Sequence, residues 1–322
     1  MGKVIGKILQ LKKTYRRLKR SPGFFGFFRD LVNPQYEHIE ALKGISFELR
    51  EGEILGYIGP NGAGKTTTIK ILSGILYPDS GEVEILGYCP WKQRKEYVKN
   101  IGVCFVGISP LWWYIPAEDT FLLHKEIYGL SKDEYKERIE LFDELLGIKE
   151  LLKIPPRKMS AGQRKRCEIA LTFLHKPKVV FLDEPTVFLD VFAKEKIHDF
   201  IREIVRKEKV TVMLTTHILG DIEKLCDRIL ILNKGEIIFR GTLDDLKKYL
   251  QVKIIEIEIE EEISLKEIVK EYQVEKKGSK LVLKVPLEAV NPVLKDLFEK
   301  YNIKDLNVRY PSLEEVIKEI CG

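Results

Sequence analysis

Gly59, Pro60, Asn61, Gly62, Ala63, Gly64, Lys65, Thr66 and Thr67 follow one another without a break and fill every defined position of the phosphate-loop pattern G-x-x-x-x-G-K-[ST]. Glycines let backbone N–H groups close around phosphate oxygens, and the helix that follows adds its positive end. The Lys65 ammonium can meet the outer phosphates as a point charge, and the Thr66 hydroxyl can join the octahedral oxygen shell of Mg²⁺. The stretch therefore implies a cradle for a nucleoside triphosphate. A second chemical group closes the apolar run Val179-Val180-Phe181-Leu182, which ends in Asp183 and Glu184. Carboxylates at the carboxyl end of a buried strand stand where ligands of open α/β sheets bind. There Asp183 is suited to hold the metal through water, and Glu184 to take a proton from the water that attacks the γ-phosphate. His217 ends a third apolar run, Val210–Thr216, at the same expected edge, within reach of that phosphate. Ser160, Gly162 and Gln163 open a further helix and form a second anion-binding device.

The elements that must carry these groups alternate between strand and helix. Glu53–Ile58 reads as a buried strand entering the phosphate loop, and Ile69, Ile71, Leu72, Ile75 and Leu76 give the next segment a helical apolar face. Strands are expected at Val4–Leu11, Leu42–Leu49 and Glu82–Leu86, with Leu42–Leu49 and Glu53–Ile58 forming a hairpin or a sheet corner. Ser131 with Glu134 matches a capping box, and Tyr135, Ile139, Phe142 and Leu146 recur at helical spacing. After the helix from Ser160 to Leu174 come strand Val179–Leu182, helix Ala193–Lys207, strand Val210–Thr216, helix Asp221–Cys226 and strands Ile229–Leu232 and Glu236–Phe239. Such alternation predicts a mainly parallel sheet covered on both faces.

The length of 322 residues accommodates about two domains, and 44% hydrophobic residues allow proper cores. Five scattered cysteines show no metal-like C-x-x-C spacing and no secretory signal precedes them, which points to reduced cytoplasmic thiols. No apolar run reaches the ~18–20 residues that cross a bilayer. The net charge of +5 is small beside 54 Lys and Arg and 49 Asp and Glu, so composition does not signal nucleic-acid binding. The basic run Lys12–Arg20 followed by Phe24, Phe25, Phe27 and Phe28 has two readings, contact with an anionic membrane surface or packing on its own domain. Beyond Gln251, an alternating strand Ile255–Glu260, helix Leu265–Tyr272, strand Leu281–Val285, helix Leu287–Tyr301 and strand Leu306–Tyr310 predict a small α+β unit of split-βαβ type.

The ordered set Gly59–Thr67, Ser160-Ala161-Gly162-Gln163, Val179–Glu184, Leu189-Asp190 and His217 resembles the ATP-binding cassette (ABC) ATPases, over about Val4 to Gly241. The resemblance implies a P-loop ABC ATPase fold of class α/β: a mainly parallel sheet, an antiparallel β subdomain and a helical subdomain. It places the nucleotide-binding domain at 1–247, its helical subdomain at about 108–176, and an α+β accessory domain at 248–322. It implies ATP and Mg²⁺ as ligands, with Lys65, Glu184 and His217 catalytic and Thr66 and Asp183 at the metal. Two such domains pair head to tail in the family, so Ser160, Gly162 and Gln163 are expected to touch the nucleotide of a second subunit, in a homodimer, with Asp190 across the seam. An aromatic ahead of the phosphate loop stacks on adenine in such proteins. Tyr36 fits by its spacing before Lys65, and Tyr15 is its rival.

Within the family, Gly59–Thr68 and Pro311-Ser312-Leu313-Glu314-Glu315-Val316 look like the exporter branch that moves drugs, ions, lipids or polysaccharides. That implies a separately encoded multi-span permease, a peripheral place on the cytoplasmic face of the cell membrane, and no specific nucleic acid. Two alternatives stand beside it. One is a soluble non-transport ABC ATPase acting on nucleic acid or ribosomes; the other is a regulatory module without turnover, which would need a defect at Glu184 or His217. The chain departs from the family pattern twice. No Gln occurs between Ile101 and Pro116, where Val106 and Gly107 hold the corresponding positions, and Phe188 replaces the Gly before Leu189-Asp190.

Overall fold

Runs such as Ile54–Ile58 offer no polar face to water, so a sheet built from them must be covered on both sides. The computed structural model describes residues 2–19, 35–216, 218–249, 251–259, 273–277, 280–311 and 315, and these fall into two units, Met1–Arg240 and Gly241–Gly322. His217, Phe24–Phe28, Leu265–Tyr272 and Ser312–Glu314 lie outside the described residues.

In the first unit the strands are β1 (Val4–Leu18), β2 (Tyr36–Arg50), β3 (Ile54–Ile58), β4 (Ser80–Ile85), β5 (Ile101–Cys104), β6 (Val179–Asp183), β7 (Thr211–Thr216), β8 (Arg228–Asn233) and β9 (Glu236–Gly241). Their order is β5-β6-β7-β3-β8-β9 in a six-stranded sheet and β2-β1-β4 in a three-stranded one. The pairs β5·β6, β6·β7, β7·β3 and β3·β8 are parallel, and every residue of β3, β6 and β7 is buried. The segment read as hairpin or corner is the corner. β2 pairs antiparallel with β1, whereas β3 enters the parallel sheet, and Glu53 at the bend is fixed by Arg228 at 2.7 Å and by the Arg50 N–H.

Two strands run further than the apolar pattern predicts. β1 continues through most of the basic run to Leu18, because β2 supplies a partner as far as Tyr36 (Leu18↔Tyr36) and ladder pairing replaces burial as the reason for extension. Two of the elements without a sequence expectation bear on the site. β5 is only four residues, and the helix Ala117–Tyr128 has Leu122, Leu123 and Ile127 exposed beside buried Phe121, so spacing cannot separate its inner face from its outer one.

That helix joins Lys132–Leu146, Lys149–Leu152 and Ala161–Phe173 in the helical region. Ser131 accepts from the Glu134 N–H and Glu134 from the Ser131 N–H, completing the predicted capping box. Phe142 and Leu146 are buried, while Arg138 on the same helix is buried against Glu208 and the Phe173 carbonyl. The ring of His175 stacks on Tyr128, with centroids 3.9 Å apart, and its Nε2–H donates to the Ile101 carbonyl at 2.9 Å. One imidazole thus ties the helical region to the start of β5.

The second unit contains helix Leu243–Tyr249, β10 (Val252–Ile259), β11 (Gln273–Lys277), β12 (Lys280–Pro286), a 3₁₀ turn Leu287–Ala289, helix Val290–Lys300 and β13 (Ile303–Arg309). The division falls at 240/241, ahead of the boundary expected at 247/248, so helix Leu243–Tyr249, capped by Thr242 through Asp245, belongs to this unit. The antiparallel order β11-β12-β10-β13 is that of a split-βαβ sheet. Ile255 and Ile257 face Leu283, Val285, Val293 and Leu297 in its core, while Glu256 between them pairs with Arg309 at 2.8 Å.

Burial pushes the His175 imidazole down to about 4, helped by the nearby His124 and Arg138 and opposed by the Ile101 hydrogen bond. A protonated ring would also carry its second proton on Nδ1, which is buried without an acceptor. Between pH ~6.5 and ~4 the unfolded chain therefore binds a proton here that the folded chain refuses, and stability falls as pH drops through that window. All three tryptophans lie in the first unit, so tryptophan-detected denaturant unfolding reads it selectively. We expect the loss of stability between pH 7 and 4 to shrink by on the order of 2 kcal/mol in His175→Gln relative to wild type; an unchanged pH slope would contradict this.

Candidate functional site

The phosphate loop is a backbone structure first. A Cβ on Gly59 would overlap the Leu232 carbonyl, and Gly64 has φ 111° with the Ala41 carbonyl 2.5 Å from where its Cβ would stand. No other residue type fits either place without moving β2 or β8. From Gly64 the chain enters helix Lys65–Leu72, whose buried Thr68, Ile69, Ile71 and Leu72 seat it on the sheet. The Lys65 ammonium donates to the carbonyls of Gly59 at 2.7 Å and Pro60 at 3.1 Å, which uses two of its three donors. Burial lowers its pKa, opposed by the charges of Glu184 and Asp183. The Glu184 carboxylate is 4.0 Å away.

Asp183 ends β6 with a fully buried carboxylate. One oxygen accepts from Thr66 Oγ1 at 3.0 Å and the other from Thr215 Oγ1 at 2.6 Å. Thr215 also receives the Glu184 N–H, on its Oγ1 at 3.0 Å and on its carbonyl at 3.1 Å. Glu184 itself has φ 47°, a left-handed backbone that turns it out of the strand direction. The result is a cavity of about 460 Å³ lined by Tyr15, Ile39, Ala41, Asn61, Gly62, Gly64, Lys65, Thr66, Thr67, Val106, Asp183 and Glu184. A larger cleft of about 830 Å³ lies at the opposite, amino-terminal ends of β6 and β7. Lysines and glutamates share its lining, with no phosphate-binding backbone among them.

The cavity gathers Asn61, Gly62, Gly64, Lys65, Thr66 and Thr67 with Asp183 and Glu184, while Gly59, Pro60 and buried Ala63 are not in its lining. It does not include Tyr36. That residue lies further out on the β1–β2 hairpin beneath the Arg16 guanidinium, 4.9 Å from its ring centroid, whereas Tyr15 lines the cavity and its hydroxyl lies 3.3 Å from Thr67 Oγ1. Counting residues back from Lys65 does not find the tyrosine that lines the cavity, because the long β1–β2 ladder places Tyr15 at the cavity and Tyr36 beyond it. His217 lies outside the described residues, although Thr216 before it is held by Asp221 at 2.8 Å.

Ser160, Gly162 and Gln163 are also absent from the cavity lining. Ser160 caps helix Ala161–Phe173 by accepting from the Gln163 N–H at 3.2 Å, and the Gln163 amide oxygen accepts from the Ser160 N–H at 2.9 Å. The Ser160 hydroxyl proton remains available to an anion. Gly162 packs against Ala193 and Asp190, and Asp190 caps helix Val191–Glu208 by accepting from the Ala193 N–H at 2.9 Å. Sequence reasoning missed the buried Asp221, which receives Thr186, Thr216 and His198 and so binds the turn after Glu184, the end of β7 and two helices. Burial raises the Asp221 pKa, but these hydrogen bonds outweigh it and leave the carboxyl below its usual range. The signal for it was thin: an Asp among ordinary helix residues.

Between the cavity and the Ser160 helix runs the segment without Gln. Val106 lines the cavity with an apolar side chain, Trp113 lies under the Arg164 guanidinium at 5.3 Å, and Tyr114 lies under Arg157 at 5.4 Å. The Trp112 N–H donates to buried Thr120 at 3.2 Å.

A family profile described as ABC transporter matches residues 42–187, and one described as ATP-binding protein DrrA1-3-like, C-terminal domain, matches residues 241–320. The ABC transporter ATP-binding protein NatA of Bacillus subtilis is 32% identical over 208 residues, which span 65% of this chain and 84% of that protein. The bacitracin transport ATP-binding protein BcrA of Bacillus licheniformis is 32% identical over 217 residues, 67% of this chain and 70% of that one. Among solved structures, a dimeric ATP-binding cassette in a post-hydrolysis state bound to ADP and Pi superposes with TM-score 0.61 at 25% identity, covering 74% of this chain and 98% of that chain.

Because Tyr15 and not Tyr36 lines the cavity, Tyr15→Ala is expected to weaken binding of a fluorescent ATP analogue by about tenfold, the size of one lost base-stacking contact. Tyr36→Ala should leave the titration unchanged. The reverse order of effects would return the stacking role to Tyr36.

Proposed function

The chain belongs to the ABC transporter family, and from that premise we propose that it powers a membrane exporter as one of a pair of identical cassettes that close on ATP. It is an ATP-binding and ATP-hydrolysing transporter subunit. Among the described residues no helix is long and apolar enough to cross a membrane. In this reading the spanning permease is a separate chain, and the subunit works peripherally on the cytoplasmic face. The bacitracin-transport relative supports export, and the transporter relatives as a group disfavour action on nucleic acid or ribosomes. We assign the α+β unit beyond Arg240 an accessory role within the same assembly.

The observation that carries the reading is that one chain provides two phosphate-binding devices but brings only one of them to the cavity. The loop N–H groups and Lys65 would bind the phosphates, and Tyr15 would stack on adenine. Ser160, Gly162 and Gln163 would cover the nucleotide of the second copy, with Asp190 across the seam. The donors on and beside Asp183 are hard oxygens, a carboxylate and the Thr66 hydroxyl, which suits Mg²⁺ completed by water and phosphate. When bound, that ion neutralises charge on the β- and γ-phosphates. Glu184, held at the cavity mouth by the Thr215 clamp, would accept the proton of the attacking water, and His217 would donate to a γ-phosphate oxygen.

Two substitutions separate these roles. Glu184→Gln should lower steady-state ATP hydrolysis by at least 100-fold, the usual worth of a positioned base, while ATP binding survives; near-wild-type turnover would remove Glu184 from the role. In that background ATP should drive the chain into a dimer in sedimentation, and Ser160→Arg should block it by placing bulk and charge at the seam. A Ser160→Arg chain that dimerises normally would contradict the two-chain site.

A further inference from the structure

The left-handed backbone of Glu184 persists only because the surroundings enforce it, and they do so from both sides. Thr215 takes the Glu184 N–H, and two residues further on the Thr186 hydroxyl donates to the carboxylate of Asp221, in the first turn of helix Leu219–Leu225. The same oxygen of Asp221 accepts from Thr216 Oγ1 at 2.8 Å, and Thr216 Oγ1 accepts from the Ile218 N–H at 3.0 Å. The chain on either side of His217 is thus tied to the atom that ties the turn after Glu184. Two hydroxyls bonded to one oxygen stand at most about 6 Å apart. The other oxygen of Asp221 takes the Nε2–H of His198 at 2.8 Å, which leaves the carboxylate a single orientation. Asp221, Thr186 and Thr216 are each 1% exposed, and none of the three lines the nucleotide cavity. Packing alone would be served as well by an apolar side chain. What a carboxylate adds here is one acceptor for two strands of catalytic machinery.

We propose that Asp221 is a positioning residue for ATP hydrolysis: through Thr186 and Thr216 its carboxylate sets Glu184 and His217 in register, so that both act on the same γ-phosphate. The inference rests on the roles given above to Glu184 and His217 and adds the group that holds them together. Asp221 acts through other residues, because it is buried behind the site and outside the cavity. Its loss should therefore leave the grip on nucleotide intact and slow the chemical step. The leverage is large, since a misplacement of about 1 Å costs on the order of 100-fold in rate.

The test uses the full chain and follows steady-state ATP hydrolysis, binding of a fluorescent ATP analogue, and the folded fraction by circular dichroism. Thr186→Val and Thr216→Val keep the side-chain shape and remove one hydroxyl each. Each should lower kcat by on the order of tenfold or more, with KM and analogue binding at wild-type values. Asp221→Ala should lose at least as much, and adding either threonine substitution to it should cost nothing further, because the shared acceptor is already gone. Asp221→Asn should recover part of that loss, since its amide can pair with both hydroxyls and with His198. Where Asp221→Ala does not fold, the two threonine variants decide. Wild-type kcat in either threonine variant overturns the proposal. So does a loss of kcat matched by the unfolded fraction or by an equal loss of nucleotide binding. A Glu184→Gln chain with near-wild-type turnover would instead overturn the reading of Glu184 as the base, so the two failures are distinct.

Discussion

The carboxylate of Asp183 is the point on which the site depends. It ends β6 in the middle of the parallel sheet, where a buried charge is tolerated only if both oxygens are satisfied. Thr66 at the start of the phosphate-loop helix satisfies one, and Thr215 at the end of β7 satisfies the other. Three elements distant in sequence are thereby locked at one edge. The same Thr215 takes the Glu184 N–H, so whatever fixes the Asp183 carboxylate also fixes the neighbouring residue, whose carboxylate is 4.0 Å from the Lys65 ammonium. The loop glycines act in the same sense, because Gly59 and Gly64 let β2 and β8 crowd the loop until its backbone has one available course.

From this edge two paths lead to the Ser160 helix. One runs through the turn after Glu184, through Thr186 to Asp221 and through Asp190 to Gly162. The other runs along the segment after β5, from Val106 in the cavity to Trp113 beneath Arg164 of the Ser160 helix. A glutamine at the head of the second path would offer an amide oxygen to the metal or the water. Valine offers none, so linkage along this path falls to aromatic and guanidinium packing rather than to a direct ligand. The first path passes Phe188, whose backbone is left-handed at φ 59°.

Much of this was legible in the residues. The phosphate loop, the acids after Val179–Leu182 and the capping box at Ser131 are local patterns that depend on neighbours in sequence; the box forms, and loop residues and acids line one cavity. The parallel sheet followed from strand–helix alternation and uninterrupted apolar runs, whereas its strand order did not. What could not be read depended on long-range geometry. Tyr15 and Tyr36 differ only in how far β1 and β2 continue beyond their buried parts, and that is decided by the ladder between them. The helix Ala117–Tyr128 exposes apolar residues on its outer face, so its periodicity is blurred by the surface it keeps. Asp221 and His198 are 23 positions apart and meet only after two helices pack.

The central claim is that each ATP is enclosed by the phosphate loop of one chain and the Ser160 helix of another. It is tested most directly by mixing two chains that fail for opposite reasons. Lys65→Ala loses the loop's grip on phosphate and keeps the covering helix, while Ser160→Arg keeps the loop and loses the cover. Each alone should hydrolyse ATP at background rate. An equimolar mixture should recover hydrolysis well above either chain alone, up to on the order of a quarter of wild-type activity if pairing is random, because a mixed dimer holds one complete site with the Arg confined to its other site. A mixture that stays at background at every ratio, or a Ser160→Arg chain that is fully active alone, would contradict the claim.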